Sequence, residues 1–203
     1  GTGKTTLAVD FAEKSTRSVA WYKVDAPENA STIFFRYLIH SIRTQRPDFG
    51  SDSLELMVED QKESSNIPRL AETFVFELEH GSRNPLLIVI EDLHLIFDAE
   101  WMVPFFRRLL LLLPADVHIV ITSRTMPPAP LWRMRSKQTL FVIDEETLVF
   151  TRDEAIRLFA QYGLSREQAS IALDHARGRA AALANLAATL RSAELESSLE
   201  TSM

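Results

Sequence analysis

Cysteine is absent from all 203 residues, which removes disulfides, thiolate zinc sites, iron–sulfur clusters and cysteine nucleophiles together. Positive charge is in deficit: 22 Lys and Arg stand against 28 Asp and Glu, a formal net charge of −6. The chain lacks the field on which non-specific nucleic-acid binding depends, so this segment is not expected to contact nucleic acid directly. Long apolar runs are missing as well. The two longest, 85–97 and 102–114, are interrupted by Glu91, Asp92, Arg107 and Arg108 and fall short of the roughly 20 residues of a membrane span. The five histidines are scattered without ligand-type spacing, which argues against zinc. There is no internal repeat, no low-complexity tract and no basic leader followed by an apolar run, and the expected location is the cytoplasm. The sequence opens on Gly1 without an initiator Met, and a segment upstream is expected.

What is present is ordinary globular material. Apolar residues make up 46% and charged residues 25% of the chain, and at this length folding hides about 70% of the extended-chain surface. Leu7, Ala8, Phe11 and Ala12 recur at helical spacing and predict a helix over 4–14. Ser18 to Val24, rich in β-branched and aromatic residues, predicts a strand running into a turn over 25–29. Ile33, Phe34, Tyr37, Leu38 and Ile42 form an amphipathic stripe ending near Pro47, after which positions 48–66 are polar and weakly patterned. Leu70, Phe74 and Leu78 predict a helix over 67–80. Leu86 to Ile90 is a continuous apolar run, the mark of a strand buried on both faces of a parallel sheet. A helix over 99–113 leads to a second such run, 117–122, and Leu140 to Ile143 is a third, which predicts a strand over 139–143. Strands alternating with helices indicate βαβ units and a parallel sheet. From residue 151 onward helical patterns over 152–162, 166–176 and 180–191 follow without a strand, punctuated by Gly163 and Gly178. The domain boundaries expected are 1–148 for an α/β domain, 149–191 for a small helical subdomain and 192–203 for a tail or linker.

Three clusters carry chemistry. Gly1, Thr2, Gly3, Lys4, Thr5 and Thr6, followed by a helix, match the second half of a phosphate-binding P-loop. Glycines let backbone N–H groups turn toward a phosphate, the helix N-terminus adds about half a positive charge, Lys4 adds a full one, and the Thr5 hydroxyl is a Mg²⁺ ligand type. Such a strand-fed loop places the sheet's first strand upstream of Gly1. Glu91 and Asp92 close a buried strand at the edge where a parallel sheet meets its ligands; one carboxylate suits a Mg²⁺ shell, the other an attacking water. Arg124 follows another buried strand and suits sensing of a γ-phosphate. The bland alternatives are a plain turn before a helix, two solvated acids opening a loop, and an arginine capping a carbonyl or pairing with an acid. Arg133, Arg135 and Lys137 read as a solvated loop, His94 as a structural histidine, and Gly178 as a helix cap or start.

Lys4 and Thr5, the run Ile88 to Ile96 with Glu91, Asp92 and His94, the stretch Thr122 to Pro128, the stretch Phe150 to Ala155, and Gly178 with the residues after it resemble the nucleotide-binding core of STAND ATPases. Within that class the chain is most similar to the large ATP-dependent LuxR-type transcriptional regulators related to the maltose-regulon activator. The resemblance covers nearly the whole chain. It implies an α/β fold with a RecA-like P-loop NTPase parallel sheet of order 5-1-4-3-2, followed by a small helical subdomain. It also implies ATP/ADP and Mg²⁺ as cofactors, self-association in the ATP state, and sensor and DNA-binding domains elsewhere in the parent chain. Carried over, Lys4 and Thr6 contact phosphate, Thr5 contacts Mg²⁺, Glu91 and Asp92 form the Walker B pair, and Arg124 is the sensor. Glu91 is one methylene longer than the Asp usual at its position. The expected function is a slow Mg²⁺-dependent ATPase switch of a transcriptional regulator. The alternatives are a metabolic P-loop phosphotransferase and an interaction module that holds nucleotide without turning it over.

Overall fold

The computed structural model describes residues 3–25, 31–59, 66–80, 84–128, 131 and 140–200, with the backbone alone for 197–200. The chain divides into two compact units, residues 8–141 and residues 1–7 with 142–203.

The first unit is a parallel α/β layer. Helix α1 (Lys4–Lys14), which begins in the other unit, leads into β1 (Ser18–Lys23); α2 (Ser31–Arg43), α3 (Asp52–Glu59) and α4 (Ile67–His80) follow, then β2 (Leu86–Glu91), α5 (Met102–Leu112) and β3 (Val117–Ile121). The sheet has order β1-β2-β3, with both neighbour pairs parallel. All six residues of β2 are buried, as its unbroken apolar run requires of a central parallel strand. Alternation splits them between two faces. Leu86, Ile88 and Ile90 enter the main core with residues of α2, α4 and α5, whereas Leu87 and Val89 pack on Ala8 of α1.

The main core contains a group of aromatic rings in tilted or edge-on contact, such as Phe35 with Phe105 at 4.6 Å and Phe34 with Trp101 at 4.9 Å between ring centres. Such pairs add to the area they bury because ring edges meet ring faces. Arg46 is buried at 3% exposure; its guanidinium donates to the carbonyls of Leu78 and Asn84 at 2.8 and 2.7 Å. Burial pushes the group's pKa down, and Asp116 opposes that shift. One cation thus ties the end of α4 to the approach of β2, a role no sequence pattern announced.

Two expectations change. The weakly patterned stretch 48–66 contains α3, whose Leu54 and Val58 lie one turn apart and are both buried. With so narrow an apolar edge the helix draws its stability from tertiary packing rather than from its own periodicity. The strand expected over 139–143 is not found: residue 139 lies outside the described residues, 140–143 form no strand, and Phe141 is 87% exposed. Among the described residues the sheet stops at β3, and an apolar run becomes a strand only where a neighbour supplies its ladder hydrogen bonds. The expected helix 99–113 is trimmed to α5.

The second unit contains α6 (Arg152–Gln161), α7 (Arg166–Ala176) and α8 (Ala180–Glu200), around a core that includes Phe159, Leu183 and Ala187. Helix α8 continues past Arg191 through the stretch expected to be a tail. Both α6 and α7 start with a capping box, which satisfies two otherwise orphaned N–H groups at each start. At α6 the Thr151 N–H donates to Glu154 Oε2 at 2.8 Å. That backbone bond, and then the bond from the Thr151 hydroxyl, hold the Glu154 carboxyl below its usual range. A depressed carboxyl binds its proton less readily folded than unfolded, so its stabilisation is present above the ordinary carboxylate pKa and is lost as pH falls through the lowered one. Thermal melts of wild type and Glu154→Gln at stepped acidic pH should therefore converge as pH falls; parallel profiles would remove Glu154 as the source.

Gly178 has a conformational and a packing reason. Arg177 and Gly178 leave α7 in left-handed conformation, with the Gly178 N–H donating to Leu173 O at 3.3 Å. A Cβ on Gly178 would fall 2.3 Å from Val149 Cγ1, so close approach as well as backbone conformation demands glycine. The capping reading accounts for it.

Candidate functional site

In the 8–141 unit the sequence-selected residues gather where the strands end. Lys23 pairs with Glu91, and Ile90 with Ile121, so the carboxyl ends of all three strands lie level, at the edge where open α/β sheets bind ligands. Glu91 is the last residue of β2 and only 7% exposed. Strand alternation puts it on the face of Leu87 and Val89.

Asp92 leaves the strand at φ 59° and ψ 34°. Left-handed backbone costs an ordinary L residue about 1–2 kcal/mol, and Asp is among the few types that tolerate it. The conformation is held by Thr122 at the end of β3. The Asp92 N–H donates to Thr122 Oγ1 at 3.1 Å, the Leu93 N–H donates to Thr122 O at 3.1 Å, and the Thr122 N–H donates back to Ile90 O at 3.0 Å. Strain fixed by neighbours in this way is common at sites that must present a side chain in one direction. A 3₁₀ turn, Leu93–Ile96, follows. It carries His94, whose Nδ1 lies 3.8 Å from Asp92 Oδ1.

Arg124 sits two residues beyond Thr122, exposed, in a bend after β3. The Thr125 N–H donates to Ser123 Oγ at 3.3 Å and shapes that bend. Among the described residues Arg124 forms no ion pair, so the bland pairing with an acid is not what holds it there. Glu91, Asp92, His94 and Thr122 are therefore gathered at one sheet edge, with Arg124 on the loop leading away.

The other cluster starts α1. Gly1 and Thr2 lie outside the described residues, as do Arg133, Arg135 and Lys137. Gly3 has φ +86°, left-handed backbone that favours glycine, and its carbonyl accepts the Leu7 N–H at 2.9 Å. A left-handed residue entering a right-handed turn points successive N–H groups the same way, which is an anion-binding concavity. Lys4 is half-buried, while Thr5 and Thr6 are exposed in the first turn.

Taken separately, the strand-end cluster offers carboxylates, a donor type for Mg²⁺, and the start of α1 offers a lysine, hydroxyls and turned N–H groups, donor types for phosphate. Mg²⁺ takes one or two carboxylates and fills its shell with water and substrate phosphate. Among the described residues no three His, Asp or Glu side chains come close enough to cage a metal by themselves.

Sequence reasoning selected both acids but gave Thr122 no role beyond opening the stretch that carries the resemblance, whereas it makes three of the hydrogen bonds that set Asp92. The signal was present in the Thr that ends the second buried run, yet adjacency to Asp92 across a 30-residue separation is visible only once β2 and β3 pair.

A parallel α/β sheet with flanking helices, continued by a helical region, is a P-loop NTPase-like core. No family model matches the chain. It is 30% identical over 200 residues to serine/threonine-protein kinase PknK of Mycobacterium tuberculosis (strain ATCC 25618 / H37Rv), a match covering 94% of this chain and 17% of that protein. It is 33% identical over 162 residues to HTH-type transcriptional regulator MalT of Cronobacter sakazakii, covering 78% of this chain and 17% of that protein. With MalT of Vibrio cholerae the identity is 29% over 163 residues, covering 79% of this chain. The chain thus spans 17% of the length of these relatives. Over most of its own length it is related to the MalT-like regulators, which bears out the resemblance read from its motifs. No helix among the described residues is long and apolar enough to cross a membrane.

Proposed function

We propose that the chain is the nucleotide-driven switch module of a transcriptional regulator, binding ATP with Mg²⁺ and hydrolysing it slowly. The observation that carries this reading is the Glu91–Asp92 strand end, where a strained aspartate is fixed by Thr122 at the ligand edge of a parallel sheet. A solvated loop acid would not need such a clamp. Relationship to proteins named as HTH-type transcriptional regulators supplies the regulatory context; the kinase name of PknK belongs to a protein of which this chain matches 17%.

In this reading Gly1 to Thr6 cradle phosphate, with Lys4 supplying charge and the backbone N–H groups of the first turn supplying direction. Thr5 offers a hydroxyl and Glu91 a carboxylate, each a donor type that Mg²⁺ takes, and the ion when bound would neutralise charge on the phosphates. Asp92 orients a water and accepts its proton. Arg124, exposed on its bend, reads the γ-phosphate, and assembly of several copies follows from the ATP-bound form. Sensor and DNA-binding parts belong to the parent protein.

The test is paired titration of ATP and ADP with Mg²⁺, followed by single-turnover phosphate release. Binding with slow release is expected. Absence of nucleotide affinity overturns the reading, and binding without release replaces the switch by a static holder. Arg124→Ala should bring the two affinities together, because a ligand can bias a two-state protein only through its differential affinity. An unchanged ATP-to-ADP preference would remove Arg124 from the sensor role.

A further inference from the structure

The proposed mechanism leaves His94 unused, although it faces the residue the mechanism depends on. Its side chain is 13% exposed and its Nδ1 lies 3.8 Å from Asp92 Oδ1. That nitrogen is buried and, among the described residues, has no hydrogen-bond partner. An unpaired polar atom away from water is costly, so this nitrogen gains by reaching the acceptor beside it. The backbone around Asp92 cannot shift to close the gap, since Thr122 holds the N–H groups of both Asp92 and Leu93. Side-chain rotation can. A shortening of about 0.6–1.1 Å brings the pair to hydrogen-bond distance.

We propose that His94 is a positioning residue for Asp92: its Nδ1–H donates to Oδ1 of the carboxylate and fixes the rotamer, leaving Oδ2 to face the attacking water. The inference rests on the reading that Asp92 orients that water. A neutral imidazole suffices, because it has one N–H donor and the carboxylate makes the bond charge-assisted. The same bond selects the tautomer with the proton on Nδ1. The 3₁₀ turn serves this purpose by bringing a side chain two residues ahead back over the strained residue.

The ring itself gives the first test. In the full chain labelled with ¹⁵N-histidine, the Nδ1 of His94 should carry its proton, and in Asp92→Gly the proton should move to Nε2. Glycine holds the left-handed backbone without strain, so that variant keeps the turn while removing the acceptor. An unprotonated Nδ1 in wild type, or the same Nδ1 signal in Asp92→Gly, overturns the proposal. The second test uses geometry. The Asn amide nitrogen occupies the place of Nδ1, and that of Gln the place of Nε2. His94→Gln should lose about 10–100-fold in turnover, as removal of a ligand-orienting partner does elsewhere, with ATP affinity within about twofold of wild type, and His94→Asn should recover most of the loss. Equal losses in the two variants overturn positioning through Nδ1. If wild type binds ATP and releases no phosphate, the assignment of Asp92 as water-orienting fails, and the ring spectrum still decides whether the Asp92–His94 bond exists.

Discussion

Asp92→Asn is expected to keep ATP bound and to slow its hydrolysis by about 10²–10⁴-fold, the range associated with loss of a positioned general base. The substitution isolates chemistry from folding. Asn tolerates left-handed backbone as Asp does, and the bonds that fix residue 92 use its backbone N–H and that of Leu93 with Thr122, none of which involves the carboxylate. The amide still occupies the carboxylate's place but no longer accepts a proton from water. Trapped in the ATP-bound form, the variant should also self-associate, visible as increased light scattering on adding ATP. Phosphate release at the wild-type rate would remove Asp92 from the reaction, and turnover would then have to be sought at Glu91.

Lys4→Ala is expected to weaken ATP binding by about 10- to 150-fold, the equivalent of the roughly 1.5–3 kcal/mol carried by a charge-assisted contact. Lys4 opens α1, and Ala is the strongest helix former, so the helix survives and the loss falls on the ligand. Thr5→Ala should behave differently. It leaves the charge in place and should chiefly flatten the dependence of affinity on Mg²⁺ concentration. Titration of a fluorescent ATP analogue into both variants, with and without Mg²⁺, separates the two roles; wild-type affinity in Lys4→Ala would refute the phosphate assignment.

The difference between these acidic and basic clusters also shows how far local pattern reaches. The continuous run Leu86 to Ile90 predicts a strand covered on both faces, and it is the fully buried centre of the sheet. The acids that follow are legible as candidates because they break the longest apolar stretch in the chain. Residues 140–143 show an apolar run of the same kind and form no strand. Hydrophobicity states that a segment prefers burial; whether it becomes a strand depends on a partner for its N–H and C=O groups, which composition does not record. The α3 helix errs the other way, since two residues packed into the core are enough to hold a segment whose own periodicity is faint.

By itself the sequence determined the class of fold, the parallel sense of the strands, the absence of cysteine chemistry and the identity of the charged residues at strand and helix ends. These follow from covalent chemistry and local periodicity, which act over a few residues. Only the tertiary structure decided that Thr122 clamps Asp92, that His94 turns a buried nitrogen toward its carboxylate, and that Arg46 ties two helix and strand ends together from inside the core. The Thr122 and Arg46 contacts join residues 30 or more positions apart in sequence, and the His94 one spans two residues but depends on the turn that Thr122 holds. Their energies depend on distance and burial, and both come into being only when the strands pair and the core closes over them.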